Sequence, residues 1–430
     1  MYKRQELIGL PKGTRASLGA YEITSSSGAS LTIATSKWLK PGVYNFSIVV
    51  KGKKLIREGQ ATLIIEDNSL LQPGIITAPV REKNSFIKTF SPEGTMINQF
   101  KLFSKKVAIS LAAGDVDGDG LDEIIVGADK KGKGPYPLVK ALKRDGTLVA
   151  TLESPGWYKL GAPVAAGDID GDWIEEIAVG YYLMPPKEME IYDDLDIDEI
   201  YSFCHGKKKG RGLIKVYKLI DKEFVDTGIT LAPYLEEDFW GAPRVALADI
   251  DGDGRLELIT APGPDPKAPA RIKVFKIDTS QGIGKWQVGE KILDLTVSFA
   301  EEKGKKKIRI EDGYGANIAA GDIDGDGKAE IIVGAGPDPK KDGQIIIIYP
   351  TENKIASFQA YPENRFGANV ASGDLDGDGQ AEIITGTGLN PQRKGTVKIF
   401  KGDGSLIKEF QPYPGDAKFG ISVATGQVGK

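Results

Sequence analysis

The stretch that decides the fold is Asp374–Glu382, which reads DLDGDGQAE and is followed by the apolar run Ile383–Thr385. It has the pattern D-x-D-G-D-G-x-x-E. The pattern also begins at Asp115, Asp168, Asp249 and Asp322, with Trp173 replacing the second glycine in one copy. Five copies in one chain indicate a repeat architecture. Calcium prefers six to eight oxygen ligands, and carboxylates at alternate positions of a tight loop can converge on one ion, so the pattern also predicts metal sites. The alternative is a set of solvated acidic turns, but four crowded carboxylates repel one another without a cation.

The spacing of the acidic loops predicts the length of each repeat, and the sequence within one repeat predicts its strands. The first aspartates are separated by 53, 81, 73 and 52 residues, so the basic period is about 52. Within 367–411 the pattern predicts four short strands, which are listed here: 367–373, 382–385, 396–400 and 406–410. Four antiparallel strands per unit, repeated radially, describe a blade of a β-propeller.

The two ends of the repetitive region complement each other. Residues 419–426 match the first strand of a sixth unit, with Gln427 where its first aspartate would fall. Residues 73–103 contain three strand-like runs that supply the rest of that unit. We therefore expect the C-terminal strand to pair with strands from 73–103, which closes a ring of six blades and leaves no open sheet edge. A ring of seven blades is the alternative.

Aromatic-glycine pairs precede the first strand of most units: Trp240-Gly241, Tyr314-Gly315, Phe366-Gly367 and Phe419-Gly420. Gly-Ala-Gly-Pro or Ala-Pro-Gly follows the second strand at 334–337 and 261–263. These motifs resemble the FG-GAP repeat of integrin α-subunit propellers and their bacterial or archaeal relatives, over about residues 73–430. The first unit departs from the pattern, because Val107-Ala108 stands where the aromatic-glycine pair is expected.

The resemblance implies structural Ca²⁺ sites, about five in number. In each loop the aspartates at positions one, three and five and the glutamate at position nine would give side-chain oxygens, and position seven would give a backbone carbonyl. The implied ligands are Asp115, Asp117, Asp119, Leu121, Glu123; Asp168, Asp170, Asp172, Ile174, Glu176; Asp249, Asp251, Asp253, Arg255, Glu257; Asp322, Asp324, Asp326, Lys328, Glu330; and Asp374, Asp376, Asp378, Gln380, Glu382. Magnesium is less favoured, because it prefers near-ideal octahedral geometry and retains several waters.

Residues 1–70 contain no acidic loop. Strand-like runs at 42–50 and 61–65 predict a small β domain. A Pro-Gly-x-Tyr-x-Phe pattern from Pro41 resembles immunoglobulin-like modules, which implies a β-sandwich. The fold class is therefore all-β: a small N-terminal domain (1–70) followed by the propeller (73–430).

Composition excludes several classes of protein. The 430 residues have a formal net charge of −4, and no apolar run is long enough to cross a membrane. The single cysteine, Cys204, excludes an intrachain disulfide framework, and the single histidine, His205, leaves almost no imidazole for catalysis. No catalytic constellation and no nucleic-acid motif is present, so we expect neither an enzyme nor nucleic-acid binding. The N-terminal residues, MYKRQELIGLPKG, lack the apolar segment of a secretory signal, which fits a cytosolic protein or a fragment of a larger chain.

A ligand is expected on the face opposite the acidic loops. The long insertion at about 182–210 falls there; its Asp194, Asp196 and Asp198 have ligand-like spacing but lack the following glycine. Aromatic residues of the loops between the fourth strand and the next unit either contact a ligand or pack between blades: Trp157, Tyr158, Tyr234, Trp240, Tyr361 and Tyr413. The sequence thus favours a monomeric, extracellular or cell-surface adhesion or ligand-binding module for a protein or polysaccharide. A propeller polysaccharide lyase and a structural spacer are the alternatives.

Overall fold

The computed structural model describes residues 4–8, 14–18, 31–35, 42–51, 56–65, 72–80, 85–103, 107–129, 137–153, 162–183, 211–237, 241–299, 301–303, 306–308, 313–388, 390, 393–413 and 420–428. All regular elements in these ranges are β-strands. No helix among them could span a membrane. The chain divides into two compact units, Met1–Leu71 and Gln72–Lys430.

The N-terminal unit contains two small antiparallel sheets. Its strands are β1 (Arg4–Ile8), β2 (Thr14–Leu18), β3 (Leu31–Thr35), β4 (Gly42–Lys51) and β5 (Ile56–Ile65). One sheet has the order β1-β4-β5 and the other pairs β2 with β3. In β4 the side chain of Phe46 is buried while Val43 and Asn45 are exposed, as expected of a strand with one face inward, but the alternation ends at Val49, which is buried as well. The immunoglobulin-like assignment stays a prediction.

The larger unit is a propeller of six four-stranded antiparallel blades, which confirms the predicted fold class and blade number. The closing blade, blade 6, contains β6 (Pro73–Pro79), β7 (Ser85–Phe90), β8 (Met96–Phe103) and β31 (Ile421–Gln427). Blade 1 contains β9 (Ala108–Gly114), β10 (Glu123–Asp129), β11 (Pro137–Leu142) and β12 (Leu148–Glu153). Blade 2 contains β13 (Val164–Gly167), β14 (Glu176–Leu183), β15 (Arg211–Ile220) and β16 (Glu223–Leu231).

The remaining blades have the same meander. Blade 3 contains β17 (Arg244–Ala248), β18 (Glu257–Ala261), β19 (Ala270–Asp278) and β20 (Gln287–Val297). A short hairpin of β21 (Glu301–Lys303) and β22 (Lys306–Ile308) follows it. Blade 4 contains β23 (Ala316–Gly321), β24 (Glu330–Ala335), β25 (Asp342–Tyr349) and β26 (Lys354–Arg365). Blade 5 contains β27 (Ala368–Gly373), β28 (Glu382–Thr387), β29 (Val397–Phe400) and β30 (Leu406–Phe410). Most of the predicted long insertion, residues 184–210 between β14 and β15, lies outside the described residues.

The ring closes where its two ends meet in blade 6. Strand β31 pairs with β6 in antiparallel register, from Ile421 opposite Pro79 to Gln427 opposite Pro73. One further bond joins the ends, because the Val428 amide donates to the Gln72 carbonyl at 3.1 Å. The innermost strand of this blade thus comes from the opposite end of the chain to its three partners.

The hydrophobic core lies between the blades rather than inside one layer. Each of the six gaps between neighbouring blades holds its own cluster of buried side chains. Close approach there requires glycine. A Cβ added at Gly386 of β28 would lie 2.2 Å from the Ile421 carbonyl oxygen, and one at Gly367 (φ 71°) would lie 2.0 Å from that of Ala335. The glycines of the repeat therefore let one blade's backbone rest on the next.

Candidate metal centres and the opposite face

The five acidic loops occupy the same place in blades 1 to 5. Each follows directly on the innermost strand, and its glutamate is the first residue of the second strand. In blade 5, for example, β27 ends at Gly373 and β28 begins at Glu382. Because the innermost strands all run from the same face of the ring to the other, all five loops lie on one face.

Each loop brings three carboxylates together. Oxygens of the aspartates at positions one and three and of the glutamate lie within 4.8 Å of one another. The groups are Asp115, Asp117, Glu123; Asp168, Asp170, Glu176; Asp249, Asp251, Glu257; Asp322, Asp324, Glu330; and Asp374, Asp376, Glu382. The donor set consists of hard oxygens only, which fits a cation such as Ca²⁺. The aspartates at position five are not in these groups, and their ligand role and that of the backbone carbonyl at position seven stay predictions.

Hydrogen bonds hold each loop in shape, as the Asp374 loop illustrates. The Asp374 carboxylate accepts from the amides of Gly377 at 2.7 Å and Gly379 at 3.0 Å, and Glu382 accepts from the Leu375 amide at 2.8 Å. The other four loops repeat these bonds; the glutamates there accept from Val116, Ile169, Ile250 and Ile323. The loop backbone is thus organised around the same carboxylates that converge.

Two positions in each loop have a left-handed backbone conformation. Position four is always glycine, and position six is glycine except at Trp173, whose φ is 75°. A non-glycine residue in this region costs about 1–2 kcal/mol. The Asp168 loop therefore has the predicted backbone, but tryptophan makes it more strained than the other four.

The glutamates are buried, and this burial has an electrostatic cost. Burial raises the pKa of four of them to about 7, and it also raises the pKa of Glu382; the four are Glu123, Glu176, Glu257 and Glu330. A carboxyl group with a raised pKa is more stable protonated or beside a cation. Burial of an acidic side chain among other acids is the arrangement that a bound cation would relieve.

Three lysines that the sequence analysis did not single out lie among these carboxylates. Lys143 contacts the Asp115 loop, Lys218 the Asp168 loop and Lys276 the Asp249 loop. Each lysine directly follows the last residue of the third strand that pairs with the second strand. Its contact with the loop could be predicted only from the register between these two strands, which the sequence does not give.

On the opposite face, three of the aromatic loop residues pack between blades. The Tyr361 hydroxyl donates to the backbone of β28 at Thr385 and accepts from the Thr385 hydroxyl at 3.0 Å. The Lys398 ammonium lies 5.1 Å from the centre of the Tyr361 ring. We call this arrangement, a tyrosine hydroxyl bonded to a threonine with a lysine ammonium over the ring, a tyrosine lock. It recurs at Tyr234, Thr260, Lys273 and at Tyr413, Thr77, Lys88. Of the two alternatives for these tyrosines, the structure supports inter-blade packing; Trp157, Tyr158 and Trp240 lie outside the described residues.

The central channel contains a cavity of about 150 Å³ near this opposite face, called here the channel cavity. It lies at the beginning of the innermost strands, about 15 Å along each strand from the acidic loops. Every blade contributes the residue five positions before the first position of its loop, which is Gln427 in blade 6: Ser110, Pro163, Arg244, Asn317, Asn369 and Ser422. Among the described residues, the Arg244 guanidinium has no carboxylate partner, and burial lowers its pKa to about 10, so it remains a cation at neutral pH.

A comparison with protein families agrees with this architecture. The family model described as FG-GAP repeat matches residues 107–135, 314–348 and 366–400, which belong to blades 1, 4 and 5. The propeller contains FG-GAP repeats. The first of these matches begins at Val107, so the FG-GAP assignment includes the unit without the aromatic-glycine pair.

Solved structures offer more distant likenesses to the FG-GAP propeller. It is similar to the exotype rhamnogalacturonan lyase YesX, with a TM-score of 0.34 and 16% identity over 92% of this chain and 70% of that one. It is also similar to a quinonprotein alcohol dehydrogenase-like protein from Bacteroides thetaiotaomicron, with a TM-score of 0.36 and 11% identity over 99% of this chain and 95% of that one. At these identities and scores the likenesses carry no assignment of activity.

Proposed function

We propose that this FG-GAP propeller is a calcium-stabilised, non-catalytic module of a secreted or cell-surface protein, and that it binds an acidic group of a protein or polysaccharide ligand. In this proposal the acidic loops hold Ca²⁺ and stabilise the ring, and recognition takes place on the opposite face. Ions that bind only the folded ring add directly to its free energy of unfolding.

The channel cavity is the observation that carries the ligand-binding part of the proposal. Arg244 is a charged side chain without a carboxylate partner among the described residues, in a position where the other blades have neutral residues. A guanidinium pairs with a carboxylate through two parallel hydrogen bonds. The cavity is smaller than the roughly 300 Å³ of ordinary small-molecule sites. It therefore suits one acidic group of a larger ligand rather than a whole ligand.

A second cavity supports the same face. It measures about 280 Å³ and lies between blades 4 and 5, where Arg393, Lys394, Lys398 and Glu409 line it. Glu409 pairs with Lys398 at 3.6 Å, which leaves an excess of positive charge that would favour the same class of acidic ligand.

The test is a binding screen of the whole chain against immobilised acidic polysaccharides, neutral polysaccharides and matrix proteins, each with calcium and with chelator. We expect calcium-dependent retention by an acidic ligand and at least about a tenfold loss of affinity in Arg244→Gln, since a hydrogen bond to a charged group contributes about 1.5–3 kcal/mol. Arg365→Gln removes the same charge from an exposed position outside the channel cavity and serves as the matched control.

Three outcomes would contradict the proposal. Equal losses of affinity in both variants would show that the channel cavity does not bind the ligand. Release of cleaved sugar from any polysaccharide would show that the protein is an enzyme rather than a binding module. If no ligand binds and the melting temperature is unchanged in chelator, both the calcium-binding and the ligand-binding parts of the proposal are wrong.

A further inference from the structure

The third strand of each blade places one residue directly across from the buried loop glutamate. In blade 1, Ile124 pairs with Leu142, so the next position sets Glu123 opposite Lys143. The same register gives Lys218 in blade 2, Lys276 in blade 3, Tyr349 in blade 4 and Lys401 in blade 5. Blades 1 to 5 therefore differ at a position from which a side chain can reach into the acidic loop.

In blades 1 and 2 the lysine lies among three carboxylates. The Lys143 ammonium is 2.6 Å from Asp117, 2.6 Å from Asp119 and 2.9 Å from Glu123. An ammonium has three protons to donate, so these contacts use its full capacity. It bonds two carboxylates of the group that would coordinate a metal ion.

Lys218 makes the same contacts in a more buried place. Its ammonium is 3.0 Å from Asp170, 2.9 Å from Asp172 and 2.5 Å from Glu176, and its side chain is only 4% exposed. This is also the loop in which Trp173 replaces glycine. Both features set the Asp168 loop apart from the other four.

Lys276 is the most exposed of the three. It pairs with Asp251 at 2.5 Å and Asp253 at 3.0 Å, and its side chain is 36% exposed. Exposed ion pairs are screened by water and are weak compared with buried ones. Lys276 is therefore the lysine that a metal ion would displace most readily.

In the described residues of blades 4 and 5, no lysine pairs with the loop carboxylates. Tyr349 faces Glu330, and the nearby Lys354 ammonium lies over the tyrosine ring, 3.9 Å from its centre, and pairs with Glu352. Lys401 occupies the register position in blade 5 but makes no ion pair with the Asp374 loop among the described residues. The carboxylates of these two loops have no lysine partner in the described part of the chain.

We infer that Lys143, Lys218 and Lys276 are built-in cations that compete with calcium, so that the FG-GAP propeller has two classes of metal site. The Asp322 and Asp374 loops bind calcium tightly, the Asp115 and Asp249 loops bind it more weakly, and Lys218 takes the place of the ion in the Asp168 loop. This inference rests on the calcium binding proposed above. Because an ion and the ammonium need the same oxygens, calcium can enter the first three loops only after the lysine leaves them.

A calcium titration of the whole chain by isothermal calorimetry tests the inference. We expect two tight sites in the wild type, and each of Asp324→Asn and Asp376→Asn removes one of them. Lys143→Met and Lys276→Met each strengthen one weak site about 10-fold, and Lys218→Met strengthens its site about 100-fold because its ion pairs are buried. The converse variant, Tyr349→Lys, introduces an ammonium and weakens one tight site about 10-fold. Lys401→Met is the matched control, and its sites keep the wild-type affinities.

The melting temperature in chelator gives a second readout, and it identifies variants that fail to fold. The lysine variants are less stable than the wild type in chelator and recover in calcium, whereas Lys401→Met does neither. Five equal tight sites in the wild type would overturn the inference while the proposed calcium function stands. An increase in calcium affinity for Lys401→Met equal to that of Lys143→Met would also overturn the inference, because the change in net charge alone would then explain the effect. Absence of calcium binding in every variant would instead overturn the proposed function itself.

Discussion

Closure of the ring makes one residue of the last strand a sensitive test of the fold. Ile421 is fully buried in the gap between blades 5 and 6, in a cluster with Ile75, Ile384 and Val397. Its carbonyl accepts a hydrogen bond from the Asn369 amide at 2.8 Å. Replacement of Ile421 by alanine removes three carbons without changing the backbone bonds. Ile421→Ala therefore measures how much side-chain packing contributes to closure.

The size of the effect follows from burial. Three buried carbons contribute about 2.4 kcal/mol by transfer, and the cavity left behind brings the cost to about 3–4 kcal/mol. For a ring of this size, unfolding entropy scales with length so that 1 kcal/mol corresponds to about 1–2 °C. We expect the melting temperature to fall by about 4–5 °C.

The assay is differential scanning calorimetry in calcium buffer, combined with hydrogen exchange. Ile355→Ala is the control, because Ile355 lies on an outermost strand with 56% of its surface exposed, and its loss costs about 0.5 kcal/mol or less. In Ile421→Ala we expect faster exchange in β6 and β31 together with a lower melting temperature for the whole ring. Equal melting temperatures for the two variants would refute the reasoning, since the last strand would then lie outside the cooperative structure.

Two further predictions concern the loops and the tyrosine locks. In chelator, we expect the free energy of unfolding of the wild type to fall as pH rises from about 4.5 to about 7. Burial raises the pKa of Glu330 to about 7, so the folded protein keeps a proton that the unfolded chain releases. Glu330→Gln removes up to about 3 kcal/mol of this decline in melting curves recorded against pH, and an identical pH slope in both proteins would contradict the prediction. Tyr361→Phe lowers the free energy of unfolding by about 1–3 kcal/mol, because it removes a buried hydroxyl that bonds Thr385. The aromatic ring that lines the second cavity is kept, so we expect ligand affinity to stay unchanged. A selective loss of binding would instead show that the hydroxyl contacts the ligand.

The sequence predicted the repeat and its closure well because both depend on local patterns. The acidic loop recurs at a regular spacing, and that spacing located the last innermost strand although Gln427 replaces its first aspartate. Strand β30 has the predicted limits, since turn residues flank a short apolar run. Glycine at Gly367 and Gly386 is required by contacts with the neighbouring blade, which explains why the repeat has such a recognisable sequence.

Contacts between strands and between blades were harder to predict. Lys218 lies 42 residues after Glu176, on the far side of the long insertion, and only the register of β14 and β15 brings them together. Likewise, the sequence left open whether the aromatic residues contact a ligand or pack between blades. The structure has Tyr361 in β26 rather than in the predicted loop, with its hydroxyl bonded to the next blade. A hydroxyl partner in the next repeat cannot be deduced from local periodicity.

The hydrogen bond between Val428 and Gln72 has a consequence for how this ring can be carried within a polypeptide. The positions at which the chain enters and leaves the ring lie side by side, so the ring can be inserted into a longer polypeptide at a single point. A short linker could join these positions and new ends could be opened at an exposed turn, giving a circular permutant with the same six blades. The contacts between blades determine their order around the axis, and this order does not depend on where along the ring the chain begins.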